Sequence, residues 1–355
     1  MEKGKNPNME KVGRSESTPK IRLKCSNPHA SFESGACDNG WNYNLQSDVY
    51  SHHVISRHSS EWCSILNHNK YEITLKEWLE KRKKKKENNW DDVYGKWEVY
   101  RPNEEARQII QGILHAVREL HSHGSSHGFL NHPENFAIQE KDLVIGGDHK
   151  KSKRVFLIHE NHDSSGVPTN NNTQQGDRLA VSNLIFDQIL GATDEEWWYP
   201  QDLQNLRELL EQTNSVSSHD WKLITNHPSL WHWKSRFSYP EQVWMHYVNA
   251  DYGSRVYRHI NKGLRNIKVS GWANNIPSYT PLQSVYKFKN NYVDTTEDLL
   301  HYLRNVRDHY KEHVSRCSYD KKFSNPQFVE LKITEVSELF LVDLYSLMCM
   351  KSIEI

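Results

Sequence analysis

No sign of charge dominates this chain, because 45 basic and 45 acidic residues cancel over its 355 positions. A global field that would draw in nucleic acid or a membrane surface is therefore absent, and any polyanion contact has to come from a local patch. Cysteine is scarce. The five cysteines (Cys25, Cys37, Cys63, Cys317 and Cys349) are odd in number and widely scattered. None of them pairs at zinc-ligand spacing, which argues against both structural zinc and a disulfide framework. The opening "MEKGKNPNMEK" lacks the apolar centre of a signal peptide. The longest apolar stretch, "LFLVDLYSLMCM", is interrupted by Asp343 and is too short to cross a bilayer. There is no internal repeat. These absences predict a soluble, cytoplasmic chain without a membrane span.

What is present points to a folded chain long enough for two domains. Twelve tryptophans are many, and seven of them lie between positions 197 and 272. Residues 1–48 are rich in Asn, Ser, Lys and Gly and read as a disordered tail. "EITLKEWLEKR" begins a helix that leads into "KRKKKKE", residues 81–87. Its six consecutive basic residues, 81–86, suit nuclear localisation or an RNA contact, but a solvated loop is the preferred reading. "NEEARQIIQGILHAVRELHSHG" predicts a strong helix with Ala106, Ile109, Ile110, Ile113, Leu114, Val117 and Leu120 on its apolar face. Asn103 would cap its start and Gly124 its end. Short strands at "NFAIQ", "DLVI" and "RVFLIH" follow. The loop "SSGVPTNNNTQQG" then leads to a buried helix, "DRLAVSNLIFDQIL". "NHPSLW" punctuates the chain, and the remainder reads as helical.

Across about residues 50–230, the order of helix, "HGFLNHPENFAI", hairpin, "FLIHEN" and "GDRLAVSNLIF" resembles the C-terminal lobe of a protein kinase. Kinases carry H-R-D-L-x-x-x-N, in which the Asp orients the substrate hydroxyl and the Asn holds a metal. Here His127 is kept, Gly128 and Phe129 replace Arg and Asp, and Asn135 follows one position late. His159, Glu160 and Asn161 stand where the metal-binding D-F-G belongs. No glycine-rich loop or V-A-I-K-like strand precedes them. The resemblance implies a pseudokinase that does not transfer phosphate, with half of the usual ATP and magnesium cleft missing. It also gives Asp177 the structural task of bracing the catalytic loop. Asn135 taken alone reads as a turn-stabilising residue, since a metal site needs several convergent oxygens.

Downstream, "NHPSLWHWKSRFSYPEQVWMHYV", "PLQSVYKFKNNY" and "DLLHYLRNVRDHY" resemble the kinase-extension nuclease (KEN) domain. That domain follows the kinase in Ire-type unfolded-protein-response sensors and in the 2-5A-dependent ribonuclease. Its most specific element, D-L-L-x-x-x-R-N-x-x-x-H-Y, is matched from Asp298 to Tyr310. The fold class implied is mainly α: a kinase-like C-lobe, α+β but largely helical, over 49–226, then an all-helical nuclease over 227–355.

The resemblance implies metal-independent RNA cleavage by the substrate's own 2′-hydroxyl, leaving a 2′,3′-cyclic phosphate. His309 suits the general acid because imidazole titrates near neutrality. Arg304 suits the phosphate, being always charged and bidentate. Asn305 would orient phosphate or ribose, and Tyr292 would stand on the base side. Leu299, Leu303, Val306 and Tyr310 form the apolar stripe of the same helix. Arg304 and His309 lie about 140° apart on a straight helix. Either the helix bends near Asn305, or the long Arg side chain reaches round. The implied partners are single-stranded or stem-loop RNA and a second copy or a related receptor, with the pseudokinase as dimerisation platform. The alternative is a non-catalytic regulator that associates with a homologous kinase/endoribonuclease. No cofactor is expected for cleavage.

Overall fold

The computed structural model describes residues 55–56, 73–85, 90–91, 101–145, 148–159, 173–191, 200–213, 215–289, 291–316 and 321–350, all within one compact unit spanning 45–355. The expected disordered tail, Lys86, residues 160–161 and the "SSGVPTNNN" stretch of the expected loop lie outside these residues. The described part is mainly helical. No described helix is long and apolar enough to cross a membrane.

The first half is built around a hairpin and a helix. Strands β1 (Ile55–Ser56) and β2 (Ile73–Thr74) flank the long pair β5 (Phe136–Ile145) and β6 (Asp148–His159) in the order β1-β6-β5-β2. The short strands β3 (Trp90–Asp91) and β4 (Arg101–Pro102) pair separately. The expected strands "NFAIQ" and "DLVI" are one continuous strand, because Glu140 and Lys141 also pair, with Lys153 and Ser152. Polar residues remain in strand when both neighbours continue the ladder.

Helix α1 (Leu75–Lys85) carries residues 81–85 of the basic run in its last turns, so the loop expected there is corrected. Two effects favour this: cations suit a helix C-terminus, and Arg82 pairs with Glu105. Helix α2 (Glu104–Ser122) buries all seven of its expected apolar residues. Asn103 Oδ1 accepts the Ala106 N–H at 2.9 Å, and Gly124 takes φ +74° beyond the C-terminus. Helix α2 lies on β6, and Gly112 makes the approach possible: a Cβ there would sit 2.7 Å from Val155 Cγ2. Helix α3 (Gln174–Asn183) runs on through a π-turn at Leu184–Ile189. Helices α4 (Gln201–Glu211) and α5 (Ser218–Thr225) complete this half, the latter opening with a Ser217–Asp220 capping box.

The second half is all helical among the described residues: α6 (Trp233–Asn249), α7 (Arg255–Asn266), α8 (Pro281–Lys289), α9 (Thr296–Arg316), α10 (Pro326–Val336) and α11 (Phe340–Met350). Buried apolar residues form two clusters. One ends at Leu230 and the other begins at Trp231, inside the "NHPSLW" punctuation. Helix α9 is the central element of the second cluster, packing on α6 and α8. It buries Leu299, Leu303, Val306 and Tyr310, together with Leu300 and Tyr302.

Candidate active site

Helix α9 is started by Thr295, whose hydroxyl accepts the Asp298 N–H at 3.2 Å, and by two acidic residues in its first turn. Both suit the positive end of the helix dipole. Asp298 then reaches back, its carboxylate accepting the Val293 N–H at 2.8 Å. That bond fixes the loop that delivers Tyr292. Asp294 ties the same loop to the turn after α7 by accepting the Gly271 N–H at 2.7 Å. The Tyr292 ring is half-buried among aromatics: stacked on Tyr286 with centroids 5.5 Å apart, and edge-on to Trp272 and Tyr302.

Three of the four expected site residues are joined by hydrogen bonds. Asn305 Nδ2 donates to the Tyr292 hydroxyl oxygen at 2.7 Å, and Arg304 Nη1 donates to Asn305 Oδ1 at 2.8 Å. The second guanidinium nitrogen of Arg304 pairs with Asp308 at 3.0 Å. His309 stands apart. It is exposed, one turn beyond Asn305, with Nδ1 3.4 Å from Glu312 Oε1. Helix α9 continues unbroken through Asn305. Of the two expected ways of reconciling Arg304 with this flank, the long side chain reaching Asn305 and Asp308 is the one observed.

Burial raises the Tyr292 phenol above its ordinary pKa, against the opposing effects of the Asn305 hydrogen bond and the Arg304 charge. Nearby charges do not make it a strong base. Since its oxygen already accepts from Asn305, its own O–H is left to donate outward.

The neighbourhood holds residues that the motif reading passed over. His301 stacks on Trp244, with centroids 4.4 Å apart and planes 11° from parallel. Lys289 donates to His301 Nδ1 at 2.8 Å and sits 4.6 Å from the Tyr292 ring centroid, a cation–π distance. Burial, Lys289 and Arg304 lower the His301 pKa, with Asp298 opposing, so this imidazole is neutral at pH 7. The signal was available: His301, Arg304, Asn305 and Asp308 recur at helical spacings of three and four.

In the first half, Asp177 is fully buried and holds the 127–128 turn. Its two oxygens accept the His127 N–H at 2.8 Å and the Gly128 N–H at 2.7 Å, and His121 Nε2 lies 3.0 Å away. Asn135 is buried and donates to the Phe129 carbonyl at 2.9 Å. Both are occupied with the backbone. Among the described residues no group of His, Cys, Asp or Glu is placed to hold a metal ion. No family model matches the chain, and a search of curated proteins returned no match.

Proposed function

We propose that the protein is an endoribonuclease that cuts RNA by attack of the substrate's 2′-oxygen on the adjacent phosphorus. The observation that carries this reading is the hydrogen-bonded run Tyr292–Asn305–Arg304, with an exposed imidazole one turn further along α9. In the reaction the 2′-oxygen forms a bond to phosphorus and the phosphorus–5′-oxygen bond breaks. The products are a 2′,3′-cyclic phosphate and a 5′-hydroxyl. His309, as imidazolium, gives its proton to the leaving 5′-oxygen. Arg304 uses one N–H of each terminal nitrogen on Asn305 and Asp308, and the other N–H of each serves the charged phosphorane. Tyr292, its pKa raised, donates a hydrogen bond on the 2′ side, and solvent takes the 2′ proton. The first half, with Phe129 and His159 at the positions where a kinase has carboxylates, acts as a platform without phosphotransfer.

The test is incubation of the purified protein with a labelled stem-loop RNA in EDTA. Metal-independent cleavage with cyclic-phosphate ends is expected. RNA left intact at every protein concentration would overturn the reading. A second reading, a non-catalytic regulator of a homologous receptor, draws on two observations: Arg304 is already paired with Asp308, and Tyr292 is held protonated. RNA or receptor binding without cleavage would favour it.

A further inference from the structure

Helix α7 carries Arg255, Arg258, Lys262 and Arg265 at steps of three, four and three, which places all four on one flank. All four are exposed, as is Lys268 just beyond the helix. The helix contains no acidic residue, and none of these five cations has an ion-pair partner among the described residues. Elsewhere in the second half Arg236, Arg304, Arg307 and Lys332 each face a carboxylate. Like charges three and four residues apart repel, so the flank is held against its own electrostatics. Beside it lies an open groove of about 650 Å³ between α7 and α11, whose polar lining includes His259, Lys262, Asn266, Lys268, Asp343 and Ser346 and whose apolar part includes Leu347 and Met350. Burial raises the pKa of Asp343, the one acidic group among these.

We propose that this flank and groove bind the sugar–phosphate backbone of single-stranded RNA, outside the residues assigned to cleavage. The four cations span eleven residues of helix, a rise of about 15 Å. The row ends near the candidate active site: the Thr296 hydroxyl donates at 2.8 Å to the carbonyl of Ile267, between Arg265 and Lys268. The Asp294 bond to Gly271 joins the same turn to the Tyr292 loop. A strand bound along α7 is thereby led towards α9. A membrane surface fits less well, because Ile260 and Leu264 of this helix are buried in the core, which leaves Val256 as its one exposed aliphatic side chain, too little apolar surface to insert. The choice of RNA among polyanions rests on the ribonuclease reading of α9.

The experiment measures fluorescence anisotropy of a labelled single-stranded RNA in EDTA over a series of salt concentrations. It compares the His309→Ala protein, which keeps the RNA whole, with the same protein carrying Arg255→Gln, Arg258→Gln, Lys262→Gln and Arg265→Gln. The log–log salt slope is about −0.7 per phosphate contact on a single strand, so losing four contacts should flatten it by about 3. An unchanged affinity and slope would overturn the site. So would anionic phosphatidylserine vesicles that bind more tightly than RNA and lose binding in the same variant. Circular dichroism checks folding, and the pair Lys262→Gln and Arg265→Gln serves if the fourfold variant does not fold, with about half the change expected. Cleavage is measured separately with His309 intact. RNA binding that depends on α7, without cleavage by the parent, keeps this site and removes the nuclease reading. Cleavage retained with binding unaltered by the α7 changes does the reverse.

Discussion

His309 lies on the exposed side of α9, away from the six apolar residues that this helix buries. His309→Ala should therefore leave circular dichroism and thermal melting close to the parent. Cleavage should fall by about 10² to 10⁴-fold, the usual worth of a general acid. A folded variant that cuts at the parent rate would remove the assignment. His227 is the opposite kind of histidine. It is fully buried; the Ser229 N–H donates to its Nδ1 at 3.3 Å, and Nε2 faces Asn205 Oδ1 at 3.3 Å, the arrangement of a neutral ring. Burial lowers its pKa to about 4, helped by Arg101 and opposed by Asp202. A folded pKa below the unfolded one means that the unfolded chain takes up the proton first. The stabilisation is thus complete above pH 6.5 and fades as pH falls towards 4. Linkage gives about 2 kcal/mol lost between pH 7 and pH 5. Urea unfolding at the two pH values should show that loss in the parent and a smaller one in His227→Gln, and equal losses would refute it.

Helices were legible where their periodicity was long. The apolar face of α2 and its Asn103 cap follow from spacing and side-chain chemistry alone, and so does the stripe on α9. Less was legible where partners distant in sequence decide the outcome. Residues 81–85 look like a repelling loop until Glu105 is placed beside Arg82, and Glu140 and Lys141 look like a break until β6 pairs with them. At the candidate site, the motif named Tyr292, Arg304, Asn305 and His309, and the structure joins the first three. Lys289 entered only through folding, because its contact with Tyr292 depends on how α8 and the loop after it return to α9. Gly112 is another such case, an ordinary helix glycine in sequence and a contact point in the fold. Gly112→Ala gains about 1 kcal/mol of helix propensity. It also forces a methyl group into Val155, a β-branched side chain with little rotameric freedom, and such overpacking costs about 1 to 3 kcal/mol. The variant should show a lower melting temperature than the parent, and an increase would mean that α2 and β6 separate freely.

At the scale of the whole molecule, charges that cancel in number do not cancel in place. Among the described residues each half buries one arginine–carboxylate pair joining residues far apart in sequence: Arg101 with Asp202 in the first, Arg236 with Glu330 in the second. The second pair ties α6 to α10 by two bonds of 2.8 and 3.1 Å, and Arg236 also donates to the Trp231 carbonyl at 2.6 Å. That carbonyl lies where the second apolar cluster begins, so one guanidinium sets both the entry to the helical half and the packing of two of its helices. Burying two ions costs desolvation that their attraction roughly offsets, so the pair contributes little net stability while it is intact. Removing one member leaves the other charge buried and unmatched, at about 3 to 5 kcal/mol. Glu330→Gln should therefore destabilise strongly, with the loss read by tryptophan fluorescence from Trp231, which is packed against Tyr239 and Tyr345. The double change Arg236→Met with Glu330→Leu removes both charges and should recover most of that loss, since apolar replacement of a buried pair is often neutral or stabilising. A Glu330→Gln protein as stable as the parent would show that water reaches Arg236 and that the pair does not hold α6 to α10.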